Sequence, residues 1–205
     1  TLKEFKLEQT RDLINAALAL DKTNALAWKL SGELHFCQQQ FHAAMHDFEK
    51  LPGSMNKQLY AYAKAMPDKA DSKRLPTLQL LQFLKSNDLD RNIRVRMIKS
   101  EQQSGNNLKE YLETVKFFHE LINPNQDQMS LRLTQQNGKN SLDLSNNENM
   151  VVIKLDLLEG LPIHSINLSH LPISHYDTRH LMKMPLEMIN LSGSRPFWLE
   201  FAADM

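Results

Sequence analysis

One short phrase returns three times in the second half of the chain. Ser141-Leu142-Asp143-Leu144-Ser145 recurs as Ser165-Ile166-Asn167-Leu168-Ser169 and as Met188-Ile189-Asn190-Leu191-Ser192, at offsets of 24 and 23 residues. The lead-in travels with it: Gly160-Leu161-Pro162-Ile163 precedes the second copy as Lys183-Met184-Pro185-Leu186 precedes the third. A period of this length is one supersecondary unit, too small to bury its own apolar face. Inside each copy apolar and polar residues alternate, which is the two-residue period of a half-buried strand. The copies are therefore expected to stack as short parallel strands, the apolar pair inward and the polar residues outward. Leu131-Arg132-Leu133 carries the same alternation, and Gln135–Asn140, with Gly138, is expected to turn it back onto the first copy as a hairpin.

The preceding residues follow a different period. Apolar residues at Leu13, Ile14, Ala17, Leu18 and Leu20 fall at helical spacing, and further helices are expected over Asn24–Gln38 and Gln40–Leu51, before the Pro52-Gly53 break. Leu59, Tyr60, Ala63 and Met66 mark a fourth helix, stopped by Pro67 and followed by a polar link to Arg74. Pro76 suits the first turn of a helix bearing Leu78, Leu81 and Leu84. Asp88 or Asp90 suits the cap of one bearing Ile93 and Met97. Asn106 or Asn107 then caps the cleanest amphipathic stretch, with Leu108, Tyr111, Leu112, Val115, Phe118, Leu121 and Ile122 on one face. The change of period falls at about residues 123–128, where Asn, Ser and Pro rise and Ala and Gln fall.

Both halves resemble known repeat families. The strand phrase with its period resembles leucine-rich repeats. Asn147 stands where that family has a buried asparagine, whereas Leu171 and Ser194 hold the later equivalents, which implies an incomplete hydrogen-bonding ladder. Ala25-Leu26-Ala27-Trp28 with Gly32, Phe36, Phe41, Ala44 and Phe48 resembles a tetratricopeptide repeat, and Ala17–Asn24 resembles the closing helix and turn of an earlier one. Lys22, Ser31 and His35 depart from that pattern. Two antiparallel helices approach closely only where a side chain is missing, so Gly32 and Ala44 are expected to face each other's helix, with Trp28 beside the contact and Phe48 between repeats. The expected fold class is α+β: an all-helical tetratricopeptide-like region over residues 1–125, then a leucine-rich-repeat segment over 126–205 with a small, mainly parallel sheet. Phe197, Trp198, Leu199 and Phe201 are expected to cap the last repeat. The combination, with Leu-Asp-Leu-Ser and the lead-ins Leu-Pro-Ile and Met-Pro-Leu, also resembles C-terminal regions of serine/threonine protein kinases from planctomycete and lentisphaera-type bacteria. It implies a longer parent with an upstream kinase domain, membrane anchoring being one of its settings.

Composition narrows the function. Lys+Arg and Asp+Glu balance at 24 each, so no global field favours nucleic acid or anionic lipid. Cys37 is the single cysteine, which excludes an internal disulfide and any cysteine-rich zinc site. No run approaches the roughly 18 apolar residues of a membrane span. The absence of a signal peptide and of an initiator methionine leads us to expect a segment of a longer protein, and the cellular location stays open. Kinase chemistry needs a Gly-rich phosphate loop, a strand lysine and paired Asp motifs; none is present among residues that include only 6 Gly. No catalytic residue, metal site or cofactor is therefore expected within these residues.

The histidines and arginines invite sharper readings. His42 and His46 lie four apart on one helix, with His35 and Cys37 nearby, and a solvated helix face is the favoured reading over a metal site. His164, His170, His175 and His180, with Asp177, Ser169 and Ser174, lack a nucleophile elbow and read as loop residues. Arg91, Arg94, Arg96 and Lys99 are flanked by Asp88, Asp90 and Glu101 and read as a solvated face. The remaining candidates bind another protein or peptide. Leu26, Lys29, Glu33 and Phe36 are expected to line the inner groove of the helical repeat, Phe36 serving as an anchor if exposed and as core if the next helix seals it. Asp143, Asn167, Met188 and Asn190, with Ser141, Ser145, Ser165, Ser169 and Ser192, are the outward residues of the strands, either a peptide-binding ladder or a solvated face. The function expected is a non-catalytic protein–protein interaction or sensor module, the alternatives being a regulatory region of a kinase and a structural spacer.

Overall fold

The computed structural model describes residues 7–53, 56–66, 75–103, 107–123, 128–147, 149, 154–171, 173 and 179–194. The chain is α+β, mostly helical, with a small mixed sheet. It divides into two compact units, Thr1–Gly105 and Asn106–Met205.

The first unit holds α1 (Leu7–Leu20), α2 (Ala25–Cys37), α3 (Phe41–Phe48), α4 (Lys57–Ala65), α5 (Thr77–Ser86) and α6 (Arg91–Gln103). Local chemistry sets the boundaries. In the turn after α1, Asp21 Oδ1 accepts from Thr23 N at 2.8 Å, and the Asn24 side chain caps α2 by accepting from Ala27 N at 3.0 Å. Trp28 does more than fill space, since its Nε1 donates to Lys22 O at 2.9 Å and ties α2 back to that turn. The α2–α3 connection needs a left-handed residue, Gln39 at φ 61°. Pro76 occupies the cap of α5 rather than its first turn, and Asp90 accepts from Asn92 N at 2.8 Å where α6 begins.

Gly32 faces α3 as the spacing predicts, but its partner is Phe48, expected between repeats, and not Ala44: a Cβ placed on Gly32 would overlap the Phe48 ring. Ala44 is fully buried on the same helix. Beyond that contact Phe36, Phe41 and Phe83 form an aromatic cluster, their ring centroids 5.3–6.2 Å apart. Each such ring removed from water contributes on the order of 2–3 kcal/mol. Cys37 is buried beside it and its Sγ points to Ile93 O at 4.0 Å.

The second unit opens with α7 (Leu108–Ile122), capped by Asn107, whose side chain accepts from Lys109 N at 3.0 Å. Four strands follow, β1 (Arg132–Gln136), β2 (Lys139–Asp143), β3 (Ser165–Asn167) and β4 (Met188–Asn190), in the order β1-β2-β3-β4. β1 and β2 form the expected antiparallel hairpin. Its two-residue turn is Asn137-Gly138, both at positive φ (52° and 75°), which matches the right-handed twist of the strands. β2, β3 and β4 are parallel, and the three sequence copies lie in register: Leu142 beside Ile166 beside Ile189. Leu142, Leu144, Ile166 and Leu168 are buried, as the alternation requires. A 3-10 turn at Leu155–Leu158 lies between β2 and β3.

α7 belongs to this unit because its polar groups are spent there. Tyr111 Oη donates to Leu157 O at 2.6 Å, and His119 Nε2 accepts from Lys154 N at 2.8 Å. The compact units thus part at residues 105 and 106, ahead of the change of period near 123–128. A stripe as apolar as that of α7 needs a partner, and Tyr111, Leu112, Val115 and Phe118 of that stripe are buried. Phe197, Trp198, Leu199 and Phe201 lie outside the described residues.

Candidate functional site

The outward row of the strands is closed on itself. Asp143, Asn167 and Asn190 stand side by side at the strand ends, and each side chain accepts from the backbone N–H two residues on, at Ser145 (3.0 Å), Ser169 (3.2 Å) and Ser192 (3.0 Å). These are Asx turns, the device by which Asp and Asn end a strand. Asn167 Nδ2 also donates to Asp143 Oδ1 at 3.0 Å. The Ser145 N–H holds the Asp143 carboxyl below its usual range, helped by Arg132 and Asn167. Three of the four candidates on the sheet are therefore occupied in shaping turns. Met188 alone is both exposed and uncommitted, and Ile189 and Leu191 next to it are exposed too, a correction to the expected inward pair of the third copy, because no further described strand stacks beyond β4.

Asn147 is buried as the family pattern implies: its Oδ1 accepts from Ser130 N at 2.7 Å, and its Nδ2 donates to Ser130 O and Leu144 O at 2.6 and 2.7 Å. At the third place Ser194 Oγ donates to Leu168 O at 2.6 Å, while Leu171 at the second is buried in the core.

The helical candidates separate sharply. Phe36 is 0% exposed, sealed by Phe41 and Phe83, so it is core and not an anchor. The correction follows from α5, which brings Phe83 over the face that a two-helix repeat alone would leave open. Glu33 accepts from Asn56 Nδ2 at 3.2 Å and pairs with Arg96 Nη1 at 3.3 Å, tying α2 to α6. Lys29 lies 3.9 Å from the same carboxylate, so neither it nor Glu33 presents a free charge. Leu26 remains, 62% exposed.

Leu26 belongs to a groove that sequence reasoning did not single out. Between α1 and α2 lies a space of about 300 Å³ lined by Thr10, Leu13, Ile14, Ala17, Asn24, Leu26, Ala27 and Leu30. Its lining is almost wholly apolar, and Leu13 on its rim is 72% exposed. The available signal was the breadth of the apolar face on α1, from Leu13 to Leu20, wider than one neighbouring helix covers.

The titratable clusters are structural. Asp47 Oδ2 accepts from Ser31 Oγ at 2.6 Å and meets His35 Nδ1 at 2.7 Å. The carboxylate stands in the middle, so His35 is not placed between serine and aspartate as nucleophile activation requires. His42 and His46 are exposed on α3. His164 Nδ1 accepts from Asn140 N at 3.2 Å, and His180 Nδ1 meets Glu159 at 2.8 Å. His175, Asp177 and Ser174 lie outside the described residues. Among the described residues no group of three or more His, Cys, Asp or Glu is placed to hold a metal. Burial pushes the Cys37 thiol up to about 12, which leaves it a poor nucleophile. Arg94 and Arg96 of the basic run are turned to Asn87 O (3.1 Å) and Glu33. No described helix is long and apolar enough to cross a membrane. No protein-family model, no curated protein and no solved structure matches this chain.

Proposed function

We propose that this chain is a non-catalytic protein–protein interaction module whose contact surface is the apolar groove between α1 and α2. The observation that carries the reading is the open groove itself, with Leu13 and Leu26 left in water on its two walls. Apolar side chains gathered in one concavity and rimmed by polar helix faces mark a contact surface, whereas single exposed leucines do not. The polar candidates favour the same surface by elimination, since Glu33, Asp143, Asn167 and Asn190 are engaged within the chain.

The chain used as bait against its source proteome tests this. Leu13→Asp and Leu26→Asp each place a charge on an exposed position, so the fold is retained, and specific recovery is expected to fall at least tenfold. Lys57→Asp, on the exposed start of α4, is the control and is expected to change nothing. Equal specific recovery by all four proteins would place the contact surface elsewhere, and recovery of nothing specific would turn the reading to that of a structural spacer.

A further inference from the structure

We infer that Asn137 is a site of spontaneous covalent modification, conversion to isoaspartate through Gly138, and that the hairpin it forms holds the reaction off. Of the 6 glycines in the chain only Gly138 follows an asparagine. The pairing matters because the reaction brings the next residue's backbone nitrogen onto the side-chain carbonyl carbon, and a residue without Cβ obstructs that approach least. Both residues are exposed at the tip between β1 and β2, and a Cβ built on Gly138 would meet nothing within 4 Å.

The chemistry requires only water. Gly138 N attacks Asn137 Cγ and bonds to it, the Cγ–Nδ2 bond breaks, and ammonia leaves with the Gly138 amide proton. Water then opens the succinimide ring. Attack at Cγ breaks its bond to Gly138 N and leaves aspartate. Attack at the Asn137 main-chain carbonyl carbon breaks the original peptide bond instead and leaves isoaspartate, whose backbone runs through Cβ and Cγ. That path is one carbon longer between Asn137 Cα and Gly138 N.

The fold opposes the first step. Asn137 and Gly138 have φ of 52° and 75°, the pair that a type I′ turn requires, and in such a turn ψ at the first residue is about +30°. Viewed along the Cα–C bond, that ψ puts Gly138 N almost opposite Asn137 Cβ, whereas ring closure needs the two nearly eclipsed. The ring therefore closes only when the turn opens. Opening is a small event, because β1 is an edge strand and Leu133 is its only residue that is not exposed. The other arm stays in place: Asn140 N donates to His164 Nδ1 at 3.2 Å and Asn140 Nδ2 donates to Pro162 O at 2.8 Å. Once isoaspartate has formed, the longer backbone no longer fits a two-residue turn. β1 is then released, while β2, β3 and β4 remain paired.

The test ages the intact chain at pH 8 and 37 °C beside the same chain unfolded in urea and beside a blocked peptide of sequence Leu133–Ser141. Mass spectrometry of digests follows the exchange of NH3 for H2O at Asn137 and separates isoaspartate from aspartate. Asn137 is expected to convert in the peptide and in urea, mostly to isoaspartate, and at least tenfold more slowly in the folded chain. This comparison needs no variant. Leu133→Ala, which trims the one side chain of β1 that is not exposed, is expected to speed conversion in the folded chain, with thermal unfolding as the check that the fold is kept. In the aged chain hydrogen exchange is expected to rise at residues 132–136 and to stay unchanged at 165–167. Equal rates in all three samples overturn the protection by the hairpin. An Asn137 that stays intact in urea overturns the site itself. Undiminished exchange protection of β1 in chains that carry isoaspartate overturns the release of the strand.

Discussion

His119 and Asn147 each settle several backbone groups at once, which makes single side chains unusually consequential in the second unit. His119 is buried with Nδ1 against Val115 O at 2.8 Å and Nε2 accepting from Lys154 N, so the neutral ring with the proton on Nδ1 is the form that fits. Burial pulls its pKa below the ordinary 6.5, outweighing the backbone bond and the nearby Asp156 that favour the charged form. The unfolded chain takes up a proton near 6.5 that the folded one refuses. The stability due to the neutral ring is therefore full above about pH 6.5 and is lost as pH falls through the depressed folded value. Urea midpoints measured from pH 8 to 5 are expected to drop on the acid side, and His119→Gln is expected to flatten that slope. Asn147→Ala should cost about 2 kcal/mol, because it strands the buried Leu144 carbonyl and the part-buried N–H and carbonyl of Ser130. Equilibrium unfolding in urea reads that loss, and a cost under 1 kcal/mol would show that the strand exit tolerates it.

Helix pairing turns on Gly32 and strand pairing on Gly138. In a free helix, glycine to alanine gains about 0.5–1 kcal/mol. Gly32→Ala meets the Phe48 ring, and overpacking of that kind costs about 1–3 kcal/mol. The net sign is expected to be destabilising, and Phe48→Leu in the same chain should recover part of the loss; thermal unfolding of the single and double variants checks it. Gly138→Ala, at φ 75° in the two-residue turn, is expected to cost about 1 kcal/mol and to loosen β1 while leaving β2–β4 paired. Hydrogen exchange confined to residues 132–143 is the discriminating measurement. At this scale the sequence was informative. The three strand copies, the hairpin, the Gly32 contact and most helix starts follow from period and turn chemistry, because those signals are local. The closing of Asp143, Asn167 and Asn190 into Asx turns was not read from the alternation, which specifies the face of a residue and not its hydrogen-bond partner.

At the scale of the molecule, the division at Gly105 and Asn106 predicts how the chain can be cut. Residues 106–205 keep Tyr111 and His119 on Leu157 and Lys154 and are expected to unfold cooperatively when made alone. Residues 126–205 lack α7 and with it the Tyr111 and His119 bonds to Leu157 and Lys154, and are expected to show no cooperative transition by circular dichroism. By itself the sequence determined the α+β class, the helical first half, the stacked strands and the inward pair of the first two copies, whereas Ile189 and Leu191 of the third copy are exposed. All of these depend on periodicity, which a linear text carries in full. Only tertiary structure decided that Phe36 lies beneath Phe83, that Glu33 is spent on Arg96, that α7 is tied to the 3-10 turn of the second unit, and that Leu13 and Leu26 share an open groove. Those outcomes depend on which distant residues meet, and the repeat pattern leaves that open because one apolar face is as ready to pack on a neighbour in the chain as on a partner.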